Sequence, residues 1–426
     1  MNRRQPIEVR SVSTDEVRAR LINRLEVALL DVRDEAEFAA AHPLFAASVP
    51  LGRLELEVFD RVPRATTPVV VYDDGEGLAR KAIQRLGELG YSDVACLHGG
   101  LSGWRAAGGE LFRDVNVPSK AFGELVEARR HTPSLTAEDL RAKLDGAEDL
   151  VILDARRFEE YRTMSIPTAT SVPGAELVYR VRDLAPRPET LVVVNCAGRT
   201  RSIIGTQSLV NAGVPNRVVA LRNGTIGWLL AGLTLEHGQS RSFPEVSERN
   251  QAGAAAAALA VAHRAGVGRV SSSTVQSWVA DESRTLYRFD VRTREEFAAG
   301  HLPLFRSAPG GQLVQETDVF APVRGARIVL VDKDGVRANM TGSWLAQMGW
   351  DVHVWDEAFQ AAELQIGDWQ PRVPSVTTLA APVANAYKRP YEGTANPRET
   401  MQAYLEWEFG LVGQLERDGT HHFRVI

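Results

Sequence analysis

Three stretches of the chain read alike: "LLDVRDEAEF" (29–38), "ILDARRFEEY" (152–161) and "RFDVRTREEF" (288–297). Asp31, Asp154 and Asp290 stand 123 and then 136 residues apart, and the same two offsets join Arg33, Arg156 and Arg292 and the aromatics Phe38, Tyr161 and Phe297. The register continues through Pro50, Pro173 and Pro309 to Gly90, Gly213 and Gly349. A register held that far, three times over, means three copies of one domain. Whatever this sequence folds into, it must do so as a tandem array.

Each copy opens with a β-branched and leucine-rich run ending in Asp, followed by a charged segment with aromatic spacing and a loop built on proline. A second apolar run follows at "PVVVYDD" (68–74), "LVVVNCAG" (191–198) and "RIVLVDKDG" (327–335), and then a helical segment that stops at the shared glycine. Uninterrupted apolar strands alternating with helices predict the α/β class, each copy a parallel sheet with helices on both faces. The expected domains are 8–112, 133–240 and 269–360. An alanine-rich helical connector, "SERNQAGAAAAALAVAHRAG" (247–266), precedes the third copy, and a helical tail spans 371–426. Within that tail "ETMQAYLEWEFGLVGQL" (399–415) has an amphipathic pattern. It is expected to pack on a domain, or on a second copy of the chain in a homo-oligomer, rather than to do chemistry.

The 426 residues, 44% hydrophobic, suffice for two to four domains with cores of their own. A formal charge of −5 leaves no basic footprint for nucleic acid. The first residues, "MNRRQPIEVRSVSTDEV", lack the apolar stretch of a secretory leader, and no window approaches a membrane span, so a cytoplasmic protein without membrane partners is expected. Two cysteines, Cys96 and Cys196, are too few for a disulfide framework and lack metal-ligand spacing. His421 and His422 have no thiol or carboxylate ligand at suitable spacing, so they read as a solvated pair, and neither metal nor cofactor is expected.

The shared register sets Asp73 and Asp332 at the place of Cys196. The loops that follow are "CAGRTR" in the middle copy, "DDGEGL" in the first and "DKDGVR" in the third. A strand that ends in a tight glycine-containing loop and feeds a helix turns backbone N–H groups toward one point, an anion site reinforced by the helix N-terminus. Those amides, with Arg199 and Arg201, are expected to favour the Cys196 thiolate and make it a nucleophile. A carboxylate at that position cannot form the intermediate open to a thiolate, and acidic neighbours would repel an anion, so the outer copies read as inactive. Cys96, in "DVACLHGG", has no cationic loop after it and reads as an inert buried residue.

The repeated Asp-x-Arg opening, the "VVNCAGRTRS" loop and the "LRNGTIGW" close resemble the rhodanese family of sulfurtransferases. The resemblance implies three tandem rhodanese-like domains with one active copy. It implies that Cys196 takes sulfane sulfur from a small anionic donor such as thiosulfate, as a persulfide. The sulfur then passes to cyanide, a low-molecular-weight thiol or a protein cysteine. By the same resemblance Ala197, Gly198, Arg199, Thr200, Arg201 and Ser202 supply amides around that sulfur, and Arg201 supplies the stabilising cation. Asp154 and Arg156 match the family's Asp-x-Arg and read as a pair supporting the loop.

Two other functions compete. Cys-x5-Arg phosphatases use the same thiolate and cradle, but four residues, not five, separate Cys196 from Arg201. A shorter ring suits a sulfur atom better than a phosphate. The other rival is a scaffold or sulfur relay that holds sulfur on Cys196 for a partner protein. The segment holding Tyr179, Arg180 and Arg182 can reach the mouth of the site, which makes these residues candidates for anion recruitment, but it reads more readily as an ordinary solvated helix face.

Overall fold

The computed structural model describes residues 10–359, 364–369, 387–393 and 395–426. Residues 8–9 and 360 of the expected domains, and 371–386 and 394 of the expected tail, lie outside that set. Three sheets organise the chain, and their strand order is the same. In the middle copy the order is Ser134–Leu135, Val218–Leu221, Leu191–Asn195, Leu150–Asp154, Thr170–Ser171, parallel throughout. The third sheet repeats it with Gly268–Arg269, Asp351–Val354, Arg327–Val331, Leu286–Asp290 and Arg306–Ser307. The first repeats it with Ser11–Val12, Val94–Leu97, Val69–Tyr72, Val27–Asp31 and Ala46–Ser48. The middle strands are the apolar runs seen in the sequence: all of Leu191–Asn195 is buried, because helices cover both faces of the sheet.

One connection departs from three self-contained sheets. Val323–Arg324, from the third copy, pairs antiparallel with Val27–Asp31 of the first. The close approach depends on Gly325, at φ +82°, where a Cβ would fall 2.9 Å from Arg24 O and Glu26 N. Two residues are too few to show an alternating pattern, so this strand leaves no trace in the sequence.

The alanine-rich connector is a helix, Glu248–Ala265, closed by Gly266 in the left-handed conformation. A second interdomain helix, Val117–Arg130, fills the gap between the first two copies. It presses on the helix Thr200–Asn211, which starts inside the Cys196 loop, and a Cβ at Gly123 would lie 2.9 Å from Thr200 Cγ2. The tail forms two helices, Arg398–Phe409 and Leu411–Asp418. Among the described residues no helix is long and apolar enough to cross a membrane.

Candidate functional site

The Cys196 loop stands on a buried polar base. Asp154, at the end of its strand, accepts from Arg156 through the backbone N–H at 3.1 Å, Nε at 2.9 Å and Nη2 at 2.8 Å. It also accepts from Asn195 Nδ2 at 2.9 Å. Arg156 reaches on to Met164 O at 2.6 Å. Asp154 and Arg156 are 0% and 1% exposed, so neither faces a substrate. Their work is to fix the strand end that carries Asn195 and, next to it, Cys196. The outer copies keep the pair as Asp31–Arg33 and Asp290–Arg292.

The loop itself is held by its carbonyls. Thr225 N–H donates to Cys196 O at 2.9 Å and Ile226 N–H to Ala197 O at 3.0 Å, while Gly224 runs so close that a Cβ there would sit 2.2 Å from Cys196 O. Among the described residues no backbone carbonyl accepts from the Ala197, Gly198 or Arg199 N–H. The helix Thr200–Asn211 likewise begins without a side-chain cap. Donors left open at a helix N-terminus form an anion site. Ser202 completes it: its hydroxyl lies 3.4 Å from Cys196 Sγ and donates to Arg199 O at 2.8 Å, and its N–H also approaches the sulfur.

In the outer copies a carboxyl group of the chain occupies the equivalent cradle. Asp73 accepts from Gly75 N–H at 3.1 Å and Ala79 N–H at 2.9 Å. Asp332 accepts from Gly335 N–H at 3.0 Å and Ala338 N–H at 2.8 Å. Ala79, Ala338 and Ser202 all lie six residues after the aligned position. The amide that approaches sulfur in the middle copy is therefore tied to an aspartate in the other two. Burial first, then Asp334, pushes the Asp332 carboxyl up to about 8.

The loop arginines are engaged rather than free. Arg201 is bidentate to Glu160, at 2.7 and 2.9 Å. Burial alone would raise the Glu160 carboxyl, but Arg201 overcomes it and holds the group down to about 2. In the third copy Arg337 pairs in the same way with Glu296. Arg199, 4% exposed, donates to Glu124 at 2.7 and 2.9 Å, pairs with Glu127 and stacks at 4.1 Å on Phe409. Glu160 was legible in the sequence, since it keeps register with Glu37 and Glu296. Glu124 and Glu127 were not, because they come from the helix between copies.

The expectation of a depressed thiol pKa needs correcting. Cys196 is 1% exposed, and burial pushes its thiol up, with Arg201 and Ser202 opposing. The cause is a cover the sequence did not reveal: Tyr391, Met401, Tyr404 and Leu405 of the tail form one apolar cluster with Ala197 and Ile226. The tail sequence thus packs over the site itself. Alkylation of Cys196 by iodoacetamide is expected to be slow at neutral pH, with a midpoint above the free-thiol value of about 8.5. Peptide mapping against pH reads it, and a midpoint below neutrality would contradict the burial effect.

At Tyr179, Arg180 and Arg182 the structure supports neither anion recruitment nor a wholly solvated helix face. Arg180 is buried, donating to Glu176 at 2.9 Å and Pro244 O at 3.0 Å, between the rings of Tyr179 at 4.6 Å and Phe243 at 4.4 Å. Arg182 has a buried Nη1 without a hydrogen-bond partner. Neither these two nor Tyr179 lines the cleft of about 750 Å³ between the middle and third copies. That cleft is edged instead by Arg157, Arg201 and Arg294. Cys96 sits in the strand Val94–Leu97, its thiol raised by burial and then by Asp73.

Comparisons with known proteins agree with this architecture. A crystal structure of thiosulfate sulfurtransferase from Pseudomonas aeruginosa is 52% identical, covering 98% of this chain and 100% of that one at a TM-score of 0.95. A thiosulfate sulfurtransferase of Pseudomonas aeruginosa is 33% identical over 162 residues, 33% of this chain and 58% of that protein. One of Azotobacter vinelandii is 27% identical over 216 residues, 42% of this chain and 79% of that protein. The chain thus spans a little over half the length of the first of these curated relatives. The rhodanese-like domain model matches residues 13–107, 136–231 and 274–364, once for each sheet. With the strand order repeated three times and the model matched three times, the chain belongs to the rhodanese-like family.

Proposed function

We propose that the chain is a rhodanese-type sulfurtransferase whose working copy is the middle one. The Cys196 thiolate attacks the outer sulfur of thiosulfate. The sulfur–sulfur bond of the donor breaks, sulfite leaves with the electron pair, and the outer sulfur stays on Cys196 as a persulfide anion. Attack by cyanide on that sulfur releases thiocyanate and restores the thiolate, and a thiol acceptor takes the sulfur in the same way. The observation that carries this reading is the contrast among the three cradles. Asp73 and Asp332 fill theirs with the chain's own carboxyl groups, whereas in the middle copy a thiol stands at that place and, among the described residues, no backbone carbonyl accepts from the Ala197, Gly198 or Arg199 N–H. Preorganised donors around a developing anion are the usual basis of such catalysis. Ser202 would bind the sulfur, Thr200 would open the helix behind it, and Arg201, held by Glu160, would set a fixed positive charge at its edge.

Intact mass after thiosulfate treatment tests the reading, with a gain of one sulfur atom expected. No adduct with thiosulfate or any other sulfane donor, alongside hydrolysis of phenyl phosphate, would replace it with the phosphatase. The tail over Cys196 favours a second reading, a sulfur relay whose turnover awaits a partner protein. A persulfide that forms once per chain yet passes to neither cyanide nor small thiols would select it.

A further inference from the structure

Glu408 is a buried carboxyl that the sulfur-transfer reading leaves without a role. It lies on the tail helix Arg398–Phe409, 1% exposed, far from Cys196 in sequence but packed over its loop. Its Oε1 accepts from the Tyr404 hydroxyl at 2.9 Å. Its Oε2 is buried with no hydrogen-bond partner. That orphan oxygen faces the cradle: a Cβ built on Gly198 would lie 3.2 Å from it. It is also close enough to Cys196 for the ionised carboxylate to push the thiol up.

An unpartnered buried oxygen over an anion site is costly unless it has a ligand to meet. The groups facing Glu408 are Glu124 and Lys120 on the helix Val117–Arg130, Arg199 and Cys196 on the loop, and Tyr404 on its own helix. Burial, then Glu124, pushes the carboxyl up to about 8, against Lys120, Tyr404 and Arg199. At neutral pH it is a neutral acid. With Tyr404 donating to Oε1, the proton belongs on Oε2, toward Gly198. Gly198 is then explained too, since any side chain there would fill the gap between the acid and the loop.

We propose that Glu408 is a hydrogen-bond donor to the anion held at Cys196, the sulfonate of the incoming donor or the terminal sulfur of the persulfide. This rests on the sulfur-transfer reading and adds to it a residue from outside the repeated domain. A buried carboxyl kept neutral is a strong donor to an anion, and one that is lost, and replaced by repulsion, on ionisation. The tail is therefore part of the binding site as well as its cover.

The test is the pH dependence of kcat/KM for thiosulfate in the full chain. The unaltered protein is expected to give a bell, because the working form needs Cys196 ionised and Glu408 protonated; the acid titrates below the thiol, so the two limbs carry apparent values of the coupled pair rather than of either group. Glu408→Gln keeps a weaker donor that cannot ionise, so kcat/KM drops a few-fold at neutral pH and the alkaline fall disappears. Glu408→Leu removes the donor and lowers kcat/KM by about 10²-fold. The shape of the Gln profile does not depend on the folded fraction, which separates this role from a structural one. An alkaline fall unchanged in Glu408→Gln, or a Leu variant as active as the Gln variant, overturns the donor role. Failure of the unaltered chain to gain sulfur in the intact-mass measurement overturns the sulfur-transfer reading instead.

Discussion

Cys196→Ser is expected to lower thiosulfate-to-cyanide sulfur transfer by more than about 10³-fold, the scale on which removing a covalent nucleophile acts. Serine is close to cysteine in size, and Ser202 and the Thr225 N–H keep their partners, so the fold should survive. What is lost is the atom that carries sulfur: an oxygen cannot hold the persulfide under these conditions. Neither outer cradle can substitute, because Asp73 and Asp332 stand in place of the thiol and accept their own loop amides. The remaining thiol, Cys96, lies within a strand of the first sheet, its Sγ 3.6 Å from Leu97 O, rather than in a loop that opens a helix. Steady-state thiocyanate formation and intact mass read the effect together. A serine variant that still gains sulfur would move the chemistry to Cys96 and refute the assignment.

Asp154→Ala is expected to be the most destabilising change near the site. It strands Arg156, 1% exposed, without its carboxylate, and it removes the acceptor of Asn195 Nδ2. Breaking a buried pair from one side costs about 3–5 kcal/mol. The matched change Asp290→Ala breaks the equivalent pair with Arg292 in the third copy. Urea unfolding of both variants should show comparable losses, while only Asp154→Ala also disturbs the Cys196 loop, through Asn195. A loss under about 1 kcal/mol in Asp154→Ala would show that the pair is not what holds the strand end. The comparison separates support of the fold, which all three copies need, from support of the thiol, which one copy has.

The sequence determined the things that repeat. A strand buried on both faces must be apolar along its length, and a helix must stop where glycine allows it, so three registers of Asp, Arg, Pro and Gly spelled out the α/β class and three sheets of one order. The absence of a thiol at Asp73 and Asp332 was legible for the same reason: comparison within the chain replaced comparison between chains. Glu160 could have been added, since it keeps the register.

The tertiary structure decided everything that depends on segments meeting once. Glu124 and Glu127 come from the helix between copies, and Tyr391, Tyr404 and Glu408 come from a tail more than 190 residues after Cys196. None of them keeps a register, and amphipathicity says only that a helix will be buried, not against what. This is why the thiol pKa goes the other way from the expectation. Local sequence showed the amides and arginines that favour a thiolate, whereas desolvation by a distant helix, and pairing of both arginines with carboxylates, are properties of the packed chain. Charge and spacing are written along the chain, while burial belongs to the packed fold.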